Sequence, residues 1–187
     1  MPVETLNFFL GLGTIAMQVA SVLLLIAFFT RDRFALSASI VRHTRVWGLW
    51  AAFLFSVAGI VLTLYYSEIV GYVPCGLCWM TRIFFYPQAF LFGLALWQKR
   101  TDVMDYSLVL AIPGAIIALY KHYLELGGGE LLPCPASGAG DCGKRYIFEF
   151  DYVTMPLMGF SLLLLLIILM IYLRSAQKEQ IELPARN

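Results

Sequence analysis

Long apolar runs separated by short polar segments make up most of this chain. Each run is long enough to cross about 30 Å of hydrocarbon as an α-helix that rises about 1.5 Å per residue. The five runs cover approximately residues 6–29, 47–67, 79–97, 106–124 and 155–173. The first run has no basic segment before it and is longer than the apolar core of a signal peptide, so we interpret it as a retained span. The pattern therefore predicts five membrane-spanning helices.

The connections between these runs are short, with one exception at about residues 125–154. Glycines and prolines in this loop cannot continue a helix. Residues 34–46 are expected either to lie on the membrane surface as an amphipathic segment or to form a plain connecting loop. The sequence thus predicts an all-α integral membrane protein built as one helical bundle.

Composition supports a membrane protein and excludes an ordinary soluble globule. Of 187 residues, 60% are hydrophobic and only 13% are charged, and the mean hydropathy is +0.79. Soluble proteins carry about 25% charged residues. The net charge of +1 gives no field that would attract nucleic acid, so we expect no nucleic-acid partner.

Basic residues predict the orientation of the chain in the membrane. They concentrate after the first, third and fifth runs, at Arg31, Arg33, Arg42, Arg45, Lys99, Arg100, Arg174, Lys178 and Arg186. The loops on the opposite side contain only Lys144 and Arg145. By the positive-inside rule we expect a cytoplasmic C-terminus and an exterior N-terminus.

All four cysteines are predicted to face the exterior. Cys75 and Cys78 form a Cys-x-x-Cys motif before the third run, and Cys134 and Cys142 lie in the long loop. In an oxidising compartment two disulfides are the natural state, and three connectivities are possible. Two structural staples are one interpretation of this pattern.

Redox chemistry is the other interpretation. A Cys-x-x-Cys disulfide closes too short a loop to stabilise a fold appreciably. At a helix N-terminus the partial positive charge favours the thiolate. Arg82, four residues after Cys78, is a candidate partner for that thiolate, although a side chain that reaches toward the interface is the alternative.

Two further interpretations concern histidine and metal. His122, near the exterior end of the fourth run, lies at a depth similar to that of Arg82 and Cys78, which suggests a shared site or else a solvated interfacial side chain. Four cysteines also suggest zinc. The wide spacing of Cys134 and Cys142 in a glycine-rich loop argues against this, so we expect no metal.

Several short motifs in a fixed order carry a family resemblance. They are YYSEI at 65–69, PCGLCW at 74–79, YP at 86–87, YKH at 120–122, GDC at 140–142 and MP at 155–156. Together with Arg82, they resemble the bacterial DsbB/BdbC family of quinone-linked thiol oxidoreductases. The resemblance covers about residues 47–175.

The resemblance implies a four-helix transmembrane bundle at 47–175, with one extra N-terminal transmembrane helix and a basic cytoplasmic loop at 1–46 and a cytoplasmic tail at 176–187. It places the chain in the bacterial cytoplasmic (inner) membrane as a multi-pass protein. The implied activity is disulfide bond formation. The protein would reoxidise a thioredoxin-like, DsbA-type partner outside the cytoplasm and pass the electrons to a membrane quinone, either ubiquinone or menaquinone.

The resemblance also implies a role for each cysteine. Cys134 would be attacked by the reduced partner, with Cys142 as its resolving neighbour. Cys142 would then attack Cys75 and leave Cys78 as the thiolate beside the quinone.

Three further residues would form the quinone site by the same resemblance. Arg82 would stabilise the anion, His122 would donate a hydrogen bond to a quinone oxygen, and Met155 would line the pocket.

Two alternatives remain open. An enzyme similar to vitamin K epoxide reductase also joins a membrane Cys-x-x-Cys to a loop pair and a quinone, but its motif would be expected to follow the loop pair rather than precede it. A disulfide-stapled membrane assembly factor would have two inert disulfides and no quinone.

Overall fold

Each of the five apolar runs forms a helix. The computed structural model describes residues 3–30, 35–98, 103–129, 131, 134 and 141–182. Its helices are α1 (Val3–Thr30), α2 (Ala35–Leu64), α3 (Gly76–Gln98), α4 (Val103–Glu125) and α5 (Met155–Glu182), and a π-helical turn at Tyr65–Ile69 extends α2. The prediction of an all-α integral membrane protein is confirmed.

Among the described residues, four helical segments are long and apolar enough to cross a membrane. They are Val3–Thr30, Trp47–Ile69, Val103–Glu125 and Met155–Ser175. α3 has 23 residues, about 35 Å of helix, but Arg82 and Gln88 lower its hydropathy. It packs against α2 and α4 within the same bundle, and we treat it as the remaining span.

α5 lies at the centre of the bundle, where it packs against α1, α2 and α4. Its leucine-rich sequence is apolar on all sides, which is typical of a helix surrounded by protein. Leu163, Leu166 and Met170 are fully buried in the same core cluster as Phe92 of α3. The bundle core therefore follows from the apolar pattern of the last run.

α2 begins earlier than expected. Residues 35–46 are helical and continue directly into the span, so they form neither a separate surface segment nor a plain loop. No glycine or proline interrupts this stretch, and Arg42 and His43 are exposed. The helix therefore continues past its apolar part toward a polar environment.

The structure contains a short hairpin before α5 that the all-α prediction did not include. Phe148–Glu149 (β1) pairs antiparallel with Val153–Thr154 (β2). The turn runs through Phe150 and Asp151, which have φ values of 52° and 62°. The Phe150 ring packs 5.4 Å from the ring of Phe8 in α1, so the hairpin joins the first helix to the start of the last.

Candidate active site

Cys75 occupies the N-cap position of α3. The backbone N–H of Cys78 donates a hydrogen bond to the Cys75 Sγ at 3.4 Å, as a capping side chain does for the third residue of a helix. The two sulfurs lie 2.9 Å apart and are not bonded. The Cys-x-x-Cys pair is therefore held together by the first turn of the helix.

This geometry favours the thiolate on Cys75 when the pair is reduced. The Cys78 thiol donates to the Cys75 sulfur and, against the opposing effect of burial, lowers the pKa of Cys75 to about 6. The positive charge of Lys121 and the N–H groups of the helix start act in the same direction. The Cys78 thiolate that the family resemblance implies would form in a different state, when Cys75 is bonded to Cys142. This thiolate stays a prediction.

The other two cysteines form a disulfide in the loop. Cys134 and Cys142 are bonded, with their Cα atoms 6.1 Å apart. Cys142 is buried in one cluster with Cys75 and Leu124, and Cys134 packs against that cluster. Of the three possible connectivities, the structure has the pairing within the loop, and it brings both cysteine pairs together.

A cavity of about 380 Å³ opens beside Cys78. One end is polar and includes Cys78, Arg82 and Lys121. The remainder is mostly apolar, with side chains such as Phe85 and Leu162, although hydroxyl groups such as that of Thr14 also line it. Cys75 is not among the lining residues, so only Cys78 of the motif contacts the cavity, although both cysteines contact the cluster around Cys142.

Arg82 lies at the polar end of this cavity and also joins two helices. Its Nη2 donates a hydrogen bond to the Thr63 carbonyl oxygen of α2 at 3.1 Å. Its guanidinium carbon lies 5.2 Å from the ring centroid of Trp79. The side chain is half-buried. It both connects α3 to α2 and lines the cavity.

Lys121 and Glu125 form a buried ion pair in the cavity wall. None of the cysteine or family motifs indicates Glu125. The signal in the sequence is a lysine followed by a glutamate four residues later within an apolar span, since such a pair places opposite charges on one face of a helix. The pair adds a second cation, besides Arg82, to the wall of the cavity that Cys78 also lines.

His122 and Met155 have different positions relative to the cavity. His122 Nδ1 is 2.8 Å from Thr154 Oγ1 of the hairpin, and the histidine is not among the cavity-lining residues. Its assignment to a quinone oxygen is not supported by this contact and stays a prediction. Met155 lines the cavity.

Within the described residues, no group of three or more His, Cys, Asp or Glu side chains is arranged to hold a metal ion. The charged side chains that line the cavity are two cations and one carboxylate.

The fold and the site define an integral membrane protein with two neighbouring cysteine pairs suited to thiol–disulfide exchange. The family model "Disulfide bond formation protein DsbB" matches residues 43–173. The chain belongs to this family, and the resemblance noted in its motifs is confirmed.

Curated relatives agree with this assignment. Disulfide bond formation protein C of Bacillus subtilis is 36% identical over 138 residues, which cover 72% of this chain and 98% of the relative. A probable disulfide formation protein of Chlamydia trachomatis is 34% identical over 118 residues, 63% of this chain and 84% of the relative. No solved structure matches the chain significantly. The family match begins at residue 43, so α1 lies outside it.

Proposed function

We propose that this protein reoxidises a thioredoxin-like, DsbA-type dithiol partner outside the cytoplasm and transfers the electrons to a membrane quinone. Family membership establishes a disulfide bond formation protein with oxidoreductase chemistry. The partner and the acceptor are the parts that we add here.

The observation that carries the proposal is the position of the Cys-x-x-Cys pair between the loop disulfide and the cavity. Cys75 is buried with Cys142 of the loop disulfide, and Cys78 packs against the same cluster but also lines the cavity. Their sulfurs are only 2.9 Å apart. Electrons that enter at the loop can therefore leave at the cavity through this pair.

The first half of the relay takes place at the loop. A thiolate of the partner attacks Cys134 Sγ, which breaks the Cys134–Cys142 bond and releases the Cys142 thiolate. The second thiol of the partner then attacks the partner's own sulfur that is bonded to Cys134, and this releases the Cys134 thiolate. The partner now contains a disulfide, and the loop cysteines, which have received its two electrons, are both reduced.

The second half begins with the Cys75–Cys78 pair as a disulfide. The Cys142 thiolate attacks Cys75 Sγ and releases Cys78, and the Cys134 thiolate then attacks Cys142 and releases Cys75. A low pKa makes a sulfur a better leaving group, so the lowered pKa of Cys75 supports this last step. The loop disulfide is restored, and the two electrons reside on Cys75 and Cys78.

The cavity fits a quinone. When bound, a quinone supplies a two-electron acceptor that restores the Cys75–Cys78 disulfide. Arg82 and Lys121 line the cavity together with Cys78. Their charges would stabilise a Cys78 thiolate and attract the polar oxygens of a head group. The apolar remainder of the cavity excludes water and suits a hydrophobic tail. Ubiquinone and menaquinone both meet these requirements.

The proposed orientation places the cysteines outside the cytoplasm. Arg42 is exposed near the start of α2, and Arg174 pairs with Asp105 at 3.2 Å near the start of α4. Both lie at the helix ends opposite the cysteine loops. A cytoplasmic location of that end, with the C-terminus, agrees with the positive-inside rule.

Purified protein, a reduced thioredoxin-like dithiol protein and a soluble quinone analogue test the proposal. We expect quinone absorbance to fall in step with oxidation of the dithiol, and a Cys75→Ala variant to abolish this turnover. A stapled assembly factor would give no turnover with either benzoquinone or naphthoquinone analogues. Quinone consumption that persists in Cys75→Ala would contradict the relay.

A further inference from the structure

One wall of the cavity comes from a helix outside the family match. That match begins at residue 43, whereas Phe9, Leu10, Gly13, Thr14 and Met17 of α1 line the cavity. These positions extend over about 12 Å along the helix axis. α1 is therefore part of the proposed quinone site and not only an attached membrane span.

The facing wall is a groove between α2 and α5. Gly59 of α2 and Gly159 of α5 both line it. A Cβ atom at Gly59 would lie 2.6 Å from Phe85 and 2.8 Å from Leu162, so these two side chains form the floor of the groove. α1 packs against both α2 and α5 and covers the groove on the lipid side.

Polar contacts fix the rotation of α1 about its axis. Asn7 Oδ1 accepts a hydrogen bond from the Tyr66 hydroxyl at 2.5 Å. Gln18 Nε2 donates to Ser161 Oγ at 3.0 Å, and Gln18 Oε1 accepts from the Tyr152 hydroxyl at 3.1 Å. Polar side chains in a membrane bind neighbouring helices because lipid offers them no partner. These contacts keep the cavity-lining face of α1 directed inward.

Two glycines of α1, Gly11 and Gly13, have different surroundings, and only Gly13 lines the cavity. A Cβ atom at Gly11 would lie 2.9 Å from the Phe150 ring, so Gly11 makes room for the hairpin. A Cβ atom at Gly13 would have no atom within 4 Å, although Gly13 lines the cavity. Gly13 therefore leaves open space that a ligand can occupy.

From these positions we propose that α1 is the lipid-side wall of the quinone site and binds the apolar tail next to the head group. The inference rests on the proposed quinone function. The head group would lie at the polar end with Cys78 and Arg82, and the tail would pass between α1 and the groove formed by α2 and α5. The tail then contributes to affinity through contacts with Gly13 and Met17.

A Gly13→Leu variant tests this wall, and Ala16→Leu is its matched control. Ala16 is exposed on α1 and does not line the cavity, so the control adds the same bulk toward lipid. The probes are decylubiquinone and the same benzoquinone head without the decyl chain. Binding is followed by quenching of intrinsic fluorescence and by the ligand-induced shift in melting temperature, in purified protein without turnover.

We expect Gly13→Leu to weaken decylubiquinone binding about tenfold, which corresponds to about 1.4 kcal/mol. The reason is that the added side chain overfills the site when the tail is bound. The tail-less head should be affected less, and Ala16→Leu should bind both probes like the wild type. Met17→Ala removes apolar contact from the same wall without adding bulk, and it should also weaken the tailed probe selectively.

If both Gly13→Leu and Met17→Ala bind decylubiquinone with wild-type affinity, α1 does not form a wall of the quinone site. An equal loss of affinity in Ala16→Leu would contradict the proposal as well. Failure of the underlying function has a different result. In that case the wild-type protein itself binds neither these probes nor their naphthoquinone counterparts, whatever residue occupies position 13.

Discussion

Lys121 and Glu125 pair with each other one helical turn apart, inside the wall of the cavity that Cys78 also lines. Both side chains are almost fully buried, with 6% and 1% of their surface exposed. Charges removed from water in this way are tolerated only because they are paired. The pair therefore gives the cavity a cation whose position depends on its carboxylate partner.

Removing one member of this pair should destabilise the protein strongly. In Glu125→Gln, Lys121 remains as a buried charge without its counter-ion, and we expect a loss of about 3–5 kcal/mol in unfolding free energy. Replacing both residues, as Lys121→Met with Glu125→Leu, should restore most of the stability. Thermal unfolding in detergent measures both variants. A Glu125→Gln protein as stable as the wild type would contradict the buried pair.

The sequence predicts the bundle well because membrane spans are defined by long apolar runs. It also places Cys75, Cys78 and Arg82 correctly at the start of α3, because a short motif followed by a helix leaves little freedom. The hairpin at β1 and β2 was not predicted, since two strands of two residues each are too short to show an alternating pattern in the sequence.

Within one helical turn of the site, the sequence leaves open which side chain faces the cavity. His122 and Lys121 are adjacent, and only the rotation of α4 decides which of them lines the cavity. That rotation is set by packing against α3 and α5, and the sequence motif YKH does not encode it. The structure places Lys121 at the cavity and His122 at Thr154.

A trapped intermediate tests the order of the cysteines. A partner variant that keeps its attacking thiol but lacks its second thiol cannot release itself from Cys134, so with the wild-type loop disulfide it should accumulate as a mixed disulfide with Cys134. Non-reducing electrophoresis with peptide mapping identifies the bond, and Cys134→Ala is the control that should trap nothing. A mixed disulfide formed through Cys75 or Cys78 in place of Cys134 would reverse the proposed order.

Labelling of intact cells tests the orientation. Membrane-impermeant maleimide should modify reduced Cys134 and Cys142 from outside, because the basic residues at the opposite helix ends predict a cytoplasmic location for those ends. A cysteine introduced at Arg42, which is exposed, should be labelled only after the membrane is opened. The opposite labelling pattern would invert the topology and remove the proposed exterior partner.

The reactivity of Cys75 should depend on pH differently from that of an ordinary thiol. Its pKa is lowered to about 6, so in the reduced protein its thiolate is half-formed near that pH, and alkylation should approach a plateau above about pH 7. A free cysteine with a pKa of about 8.5 continues to gain reactivity beyond that pH.

The matched variants for this measurement share a Cys134→Ser/Cys142→Ser background, in which only the Cys-x-x-Cys pair reacts. Adding Cys78→Ala removes the thiol that donates to Cys75, so the midpoint of alkylation should move to higher pH. An unchanged midpoint would show that the hydrogen bond from Cys78 is not what stabilises the Cys75 thiolate.

Arg82 connects the stability of the bundle with the chemistry of the cavity. Arg82→Met keeps the apolar stem but loses the hydrogen bond to the Thr63 carbonyl and a cation of the cavity wall. A charge-assisted interaction with the bound quinone is worth about 1.5–3 kcal/mol, so the apparent quinone KM should rise substantially in a protein that still folds. Steady-state rates against quinone concentration and a thermal melt are measured on the same preparation.

Arg82→Lys and Trp79→Leu separate the two roles of this residue. The lysine retains a positive charge but not the guanidinium that reaches Thr63, so quinone affinity should recover in part while the melting temperature stays lowered. Trp79→Leu removes only the aromatic ring beneath the guanidinium and should leave KM close to that of the wild type. If Arg82→Met lowers the melting temperature and leaves KM unchanged, Arg82 is an anchor between α2 and α3, and the cation that acts on Cys78 must be Lys121.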